Sequence, residues 1–407
     1  MKCAIIGGGA SGLVCAVEAV NTAKKLKRNI SVTVFEKNDR VGKKILATGN
    51  GRCNMTNLDC RKDFYFGSPD FAEFALKKFS PENNIEFFKS LGLFTRIDSE
   101  GRVYPLSNQA SSVLDALRFA CERNGVNFQC GEAVTEIQKK SNGYIINGKE
   151  KFDKIVFACG GKAAVKDFNG YDLAESLSLS CTKTAPSLVR LTTPSKITKQ
   201  LKGIRAAVEL TLIIDSNKVA YERGELLFGD FSLSGIAAMQ LSAFVSRHFL
   251  KSKTKPLVYV DFVPDFEYSD LVKSIESVCK NCAKSPCENL LSGFMPKKIG
   301  TIILKEAEIS TDIPMGKLTA QNIKRLALLC KKYVFEIDGT KGFSDAQVTS
   351  GGIITKQFNK ETLESKKHKG LFCCGEMLDV DGLCGGYNLQ WAWSSGRLCG
   401  KSLAVGD

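Results

Sequence analysis

An α/β architecture is what the 407-residue sequence predicts, on three observations. A short apolar run (CAII, 3–6) leads into a glycine turn (GGGASG, 7–12) and then into a helical stretch (LVCAVEAV). A β-branched run (ISVTVF, 30–35), closed by Glu36, follows at the distance that a β-turn-α-β unit requires. Far downstream, a further strand ending in glycine and acid (LFCCGE, 371–376) precedes a closing helix (QWAWSSGRLCGKSLA). The two ends of the chain therefore read as parts of one nucleotide-binding domain.

Between these ends the elements are read in order. Residues 71–92 have a helical pattern, with an N-terminal proline in the segment PENNIEFFKSLG. Residues 111–124 read as a helix capped by Ser111 or Ser112. Residues 127–130, 133–140, 144–148 and 154–161 read as strands and turns. Near 188 the texture changes. Strand patterns occupy 207–214, 217–221 and 257–262, helical patterns occupy 266–310 and 318–331, and strands return at 333–338 and 348–354. The chain is expected to leave the nucleotide domain near 188 and to re-enter it near 343.

Composition narrows the class. With 43% hydrophobic and 25% charged residues, a disordered or collagen-like chain is excluded. No uncharged apolar run approaches the ~18–20 residues of a membrane span, so no membrane partner is expected. The N-terminus enters a strand without a signal-peptide pattern, which predicts a cytoplasmic protein. Sixteen cysteines lie scattered and are expected to be thiols. Cys279, Cys282 and Cys287 form the densest group but lack a fourth ligand nearby, so no stable metal site is expected. The net charge of +14 favours an anionic partner, although a lysine-rich solvated surface is the plainer reading. His248 and His368 lie among lysines and read as surface residues.

The most specific local signal is Gly7-x-Gly9-x-x-Gly12 between strand and helix. Gly7 permits the turn, Gly9 lets backbone approach a pyrophosphate, and Gly12 allows close helix–strand contact. Glu36 can accept from ribose hydroxyls, which favours FAD or NAD over NADP. The turn Ala158–Gly161 and the late LFCCGE segment with Asp381 favour FAD. No second such fingerprint is present for a tightly held nicotinamide cofactor.

The sequence also resembles the BaiN-like flavoproteins, described too as YhiN-type or aminoacetone-oxidase-like. The matching stretches are KKILATGNGRCNMTN (43–57), GRVYPLSNQASSVLDAL (101–117), GELLFGDFSLSG (224–235), AQVTSGGI (346–353) and GEMLDVDGLCGGYNLQWAWSSG (375–396). The resemblance implies FAD and three parts. These are a Rossmann-like FAD-binding domain (1–188 plus 343–407), an inserted β-barrel-like domain (189–264 plus 332–342) and a small helical domain (265–331). One departure is visible: Gly229-Asp230 stand where the family usually has Thr-His, and Ile236 stands where Pro is usual.

With the resemblance, the expected cofactor set is Gly7, Gly9, Ala10, Ser11, Gly12, Glu36, Lys37, Lys44, Thr48, Gly49, Gly51, Arg52, Cys53, Asn54, Val134, Ala158, Gly160, Gly161, Gly375, Glu376, Asp381, Gly386, Tyr387, Asn388 and Leu389. The loop at 48–54 can pass close to a flavin ring, and amides at the start of the last helix can stabilise negative charge on it. Cys53, Arg52, Asn54 and Tyr104 are the candidate catalytic residues, with Cys53 either a proton donor or a packing residue. The leading functional reading is an FAD-dependent oxidoreductase. It passes hydride from flavin N5 to an electron-poor C=C bond of an enone-type small molecule, with NAD(P)H as transient donor. The alternatives are an rRNA uracil reductase forming dihydrouridine, a small-amine oxidase using O2, and a non-catalytic FAD-binding protein.

Overall fold

The computed structural model describes residues 1–405. The chain divides into two compact units, one formed by Met1–Ala185 with the residues from Val348 onward, the other by Pro186–Gln347.

The first unit is built on a parallel sheet of five strands. These are β1 (Lys2–Ile6), β2 (Ser31–Glu36), β3 (Asn127–Cys130), β4 (Lys154–Phe157) and β5 (Leu371–Cys373), in the spatial order β5-β4-β1-β2-β3. Ile5 of β1 pairs with Val34 on one side and Val156 on the other. Cys3 to Ile6 are all buried, as expected of a central parallel strand covered on both faces. Helix α1 (Ala10–Lys25) follows the glycine turn, and helix α2 (Tyr387–Val405) lies against it. Their approach depends on two glycines: a Cβ on Gly396 would sit 2.6 Å from the Ser11 carbonyl oxygen, and one on Gly400 2.5 Å from that of Cys15.

The helical pattern at 71–92 is two helices, Pro69–Lys78 and Pro81–Ser90. Pro81 drives the residue before it out of helical geometry, and Ser80 turns extended and caps the second helix through Asn83 N–H. The next helix, Ala110–Arg123, starts one residue before Ser111, so neither Ser111 nor Ser112 caps it; Gln109 holds that position without a side-chain bond to the backbone of the helix. Of 133–140 only Ile137–Lys140 is strand, and of 348–354 only Val348–Ser350. His368 is not a surface residue. It is 7% exposed, with Nε2 2.7 Å from the Leu177 carbonyl oxygen and Nδ1 3.0 Å from Lys139 Nζ. Burial lowers its pKa first, so the ring is neutral at pH 7: Nε2–H donates to Leu177 and Nδ1 accepts from Lys139.

The second unit carries a seven-stranded antiparallel sheet in the order Tyr333–Glu336, Leu257–Asp261, Arg205–Ile214, Asn217–Gly229, Ser232–Ser234, Leu191–Thr192 and Gly339–Thr340. Val208, Leu210, Leu212, Leu226, Phe228, Val258, Val260 and Phe335 alternate inward and form its core. The helical region holds Tyr268–Asn281, Lys297–Glu306 and Ala320–Lys331, the last opened by a capping box between Thr319 and Asn322. The ENLLSGF stretch is not a helix; only the single turn Cys287–Asn289 forms there. Cys279 and Cys287 are buried while Cys282 is exposed. Among the described residues, no helix is long and apolar enough to cross a membrane.

Candidate functional site

The glycine turn joins β1 to α1, and its three glycines have different reasons. Gly7 has φ +111°, and a Cβ there would lie 2.4 Å from the Ala158 carbonyl oxygen. A Cβ on Gly12 would lie 2.0 Å from the oxygen of Gly7. These two are demanded by the fold itself. Gly9 is different: its missing side chain faces open space, with nothing within 4 Å. It also gives α1 no side-chain cap, and the first turn holds no acid. The leading amides, including those of Ala10 and Ser11, therefore meet an electropositive open space.

Glu36 stands beside this turn. One carboxylate oxygen accepts from Gly8 N–H at 3.0 Å, the other from the Asn38 backbone and side chain at 2.9 and 2.6 Å. Lys37 reaches instead to the carbonyl of Lys166. Val134 is buried, and its carbonyl accepts from Asn169. After β4, Ala158, Gly160 and Gly161 run close under the late segment. A Cβ on Gly161 would meet Thr349 Oγ1 at 2.4 Å and Glu376 Oε1 at 2.7 Å. Glu376 accepts from Thr349 N–H at 2.7 Å and pairs with Lys44 at 2.9 Å, so these two candidate residues hold each other. A Cβ on Gly375 would lie 2.4 Å from Ser11 Oγ, which puts the late glycine against the first helix.

The second group is the loop at 48–54. Gly49, Asn50, Gly51 and Cys53 all have positive φ, which is why glycine and asparagine recur there. Thr48 Oγ1 donates to the Ile45 carbonyl at 2.6 Å, and the Thr48 carbonyl accepts from Cys53 N–H at 3.0 Å. The loop meets the start of α2: a Cβ on Gly386 (φ +105°) would lie 2.7 Å from the Thr56 backbone and 2.9 Å from Asn54 Oδ1. Asn54 Oδ1 is buried there without a hydrogen-bond partner.

Other candidates have structural duties. Asn388 turns back, its amide clamping the backbone N–H and carbonyl of Gly382, both at 2.8 Å. Tyr387 packs on Phe64 and Tyr65, and its carbonyl accepts from the Tyr65 hydroxyl. Asp381 is buried in the strand Val380–Gly382, and Leu389 is half-buried. Cys53 is fully buried, and that burial pushes its thiol up to about 12. It is a protonated, inward-facing group in this loop. Arg52 is exposed, with its guanidinium 5.3 Å from the Tyr104 ring centroid. Arg96, absent from the sequence reading, lies 4.9 Å from the same centroid. Gly229 ends a strand of the second unit, and Asp230 pairs at the surface with Lys202, which holds its carboxyl below the usual range.

The sequence reading also missed what fastens the loop. Gln390 accepts from Thr56 Oγ1 at 2.7 Å and donates to the Phe79 carbonyl at 2.8 Å, with Asn84 and Ser394 completing a buried network. Trp393 Nε1 donates to the Met55 carbonyl at 2.8 Å. The only available signal was polar residues on an otherwise apolar closing helix.

A family model described as HI0933-like protein Rossmann domain matches residues 1–402. The chain belongs to the HI0933-like family. It is a flavoprotein oxidoreductase. It is similar, at 36% identity over 98% of both chains, to a 3-dehydro-bile acid delta(4,6)-reductase from Clostridium scindens. It is 28% identical to a ribosomal RNA dihydrouridine synthase from Escherichia coli, over 98% of this chain and 97% of that one. A protein of the same name from Haemophilus influenzae is 27% identical over 98% of both.

The HI0933-like family implies FAD, and the residues present fit it. The open side of Gly9 and the uncapped start of α1 suit a diphosphate, and Glu36 suits a ribose. The buried, unpartnered Asn54 oxygen marks a place where a donor from outside the chain belongs.

Proposed function

We propose that the chain reduces an electron-poor C=C bond in an enone-type small molecule, with NADH or NADPH as transient electron donor. Bound FAD supplies two-electron hydride chemistry. The observation that carries this reading is the loop at 48–54, where a buried acceptor on Asn54 has no partner and faces the glycines that open α2. The substrate class draws its support from the full-length likeness to the bile acid reductase.

In this reading the candidate residues divide into three tasks. Gly9 and the first amides of α1 bind the diphosphate, and Glu36 orients the ribose. Lys37, Lys44, Val134, Gly160, Gly161, Gly375, Glu376 and Asp381 shape the wall around the cofactor. Thr48, Gly49, Gly51, Asn54 and Gly386 to Leu389 shape the ring side, where Asn54 accepts a hydrogen bond. Arg52 and Arg96 flank Tyr104 and offer cationic donors for an acidic group on the substrate. Cys53, fully buried and with its thiol pushed up to about 12, packs the loop in this reading. The division of the second unit into a β-barrel-like part (189–264 plus 332–342) and a helical part (265–331) belongs to the same reading. It is supported by the antiparallel strands on either side of helices Tyr268–Asn281 to Ala320–Lys331.

The test is anaerobic. Purified protein is mixed with NADH or NADPH, then with a 4-ene-3-keto steroid acid, while the flavin spectrum is followed. Bleaching by the nicotinamide and recovery with the enone are expected. A flavin that neither nicotinamide bleaches, or that the enone fails to restore, refutes the reading. Arg52→Gln is expected to raise KM for the acid far more than it lowers kcat.

A second reading, reduction of uracil in rRNA, is favoured by the net charge of +14 and by the two dihydrouridine synthase relatives. It requires RNA binding that weakens steeply with salt, and dihydrouridine detectable by mass spectrometry after turnover.

A further inference from the structure

Outside the nucleotide site, the core of the first unit holds a group of side chains that the function above does not use. Cys15 lies on α1, Cys399 on α2, and Cys374 directly after β5. Their sulfurs all lie within 4.8 Å of one another, and all three residues are 0% exposed. They are 384 residues apart at the extremes, so only the fold brings them together. The close crossing of the two helices makes this possible, since Gly400 lets α2 settle onto the backbone of Cys15.

We propose that Cys15, Cys374 and Cys399 form a binding site for one soft monovalent d10 ion, copper(I). Three observations select this class. The ligand set is purely sulfur, which excludes hard cations and favours Cu(I) among soft ions. A metal–sulfur bond of about 2.3 Å in a trigonal plane puts the sulfurs about 4 Å apart, inside the observed spacing. Among the described residues the cluster gathers no fourth histidine, cysteine or carboxylate, whereas structural zinc takes four ligands in a tetrahedron.

Coordination by three thiolates requires the three thiol protons to leave for solvent as the ion enters, while copper and sulfur keep their oxidation states. The metal would tie α1, α2 and the end of β5 together, beneath the turn that Ser11 and Gly375 share.

The experiment uses the FAD-loaded protein, reduced and desalted without oxygen, and titrates it with Cu(I) against a bathocuproine-type chelator. One equivalent per chain held against the chelator is expected, with an X-ray absorption spectrum fitted by three sulfurs. Cys399→Ala is expected to weaken that equivalent by more than about tenfold. The double variant Cys130→Ser/Cys282→Ser, which removes exposed thiols, is expected to retain it. Should Cys399→Ala lose its fold, judged by circular dichroism and bound flavin, Cys15→Ala takes its place. The proposal is overturned by no retained equivalent, by a shell of two sulfurs or of nitrogen and oxygen, or by loss of binding in the exposed-thiol variant.

Discussion

Replacing Asn54 with leucine separates the cost of a lone acceptor from its use. Asn54 Oδ1 is buried and has no partner within the chain. A polar atom left in this state costs about 1–3 kcal/mol relative to one that is paired. In the cofactor-free protein that cost is present, so Asn54→Leu should raise stability by up to about 1–3 kcal/mol. That corresponds to about 2–4 °C in Tm for each kcal/mol in a unit of this size. In the loaded protein the same oxygen accepts from the cofactor, so the variant loses one hydrogen bond. At about 1.4 kcal/mol per factor of ten, FAD affinity should fall about 5- to 150-fold. The two effects have opposite signs, which a general packing defect does not produce. The assay pairs thermal unfolding of the apoprotein with FAD titration followed by flavin fluorescence. An apoprotein that is destabilised, together with unchanged FAD affinity, would refute the reasoning.

The glycine turn gives a matched pair: Gly12→Ala places a methyl 2.0 Å from the Gly7 oxygen and should give colourless, poorly folded protein. Gly9→Ala, with open space around it, should leave apoprotein Tm unchanged and weaken FAD by more than about tenfold, read by the same titration. Glu18 and Arg397 form a buried pair at 3.1 Å, with Arg397 also stacked on Phe79 and Phe87. Leucine at either position should cost about 3 kcal/mol in urea unfolding, and leucine at both should cost much less than the sum of the two. Burial raises the thiols of Cys3, Cys53 and Cys121 from 9.0 to about 12. Above pH 9 the unfolded chain sheds these protons and the folded chain keeps them, so stability must fall as pH rises. Each thiol contributes up to about 1.4 kcal/mol per pH unit, and the fall is complete near pH 12. Urea midpoints at pH 8 and 10.5 under reducing conditions test this; equal midpoints would contradict it, and Cys53→Ala should flatten the decline.

What could be read from the sequence is what neighbours along the chain decide. The β1–turn–α1–β2 unit is legible because strand, glycines and Glu36 fall within thirty-five residues, and their spacing alone fixes their geometry. The left-handed turn Gly49-Asn50-Gly51 is legible for the same reason, since glycine and asparagine announce it. Local signals failed where a tertiary partner or a single proline overruled them. Pro81 split one helical pattern into two, and Gln109 took the cap position expected of serine. The bond between Thr56 and Gln390 spans 334 residues and the Lys44–Glu376 pair spans 332, so no periodicity reports either. His368 looked exposed because its sequence neighbours are lysines, yet its actual neighbours are the Leu177 carbonyl and Lys139.

The order of strands in the parallel sheet has a consequence for biosynthesis. Its edge strand β5 and the helix that covers α1 lie at 371–405, while their neighbours leave the ribosome hundreds of residues earlier. Until residues 371–405 have been made, the open side of β4 has no strand beside it and the apolar surface of α1 lacks its cover, a state prone to mispairing. The segment 186–347 is contiguous and can mature during that interval. Completion of the coenzyme's domain therefore waits for residues 371–405, and a nascent chain stalled before Leu371 is expected to hold no flavin.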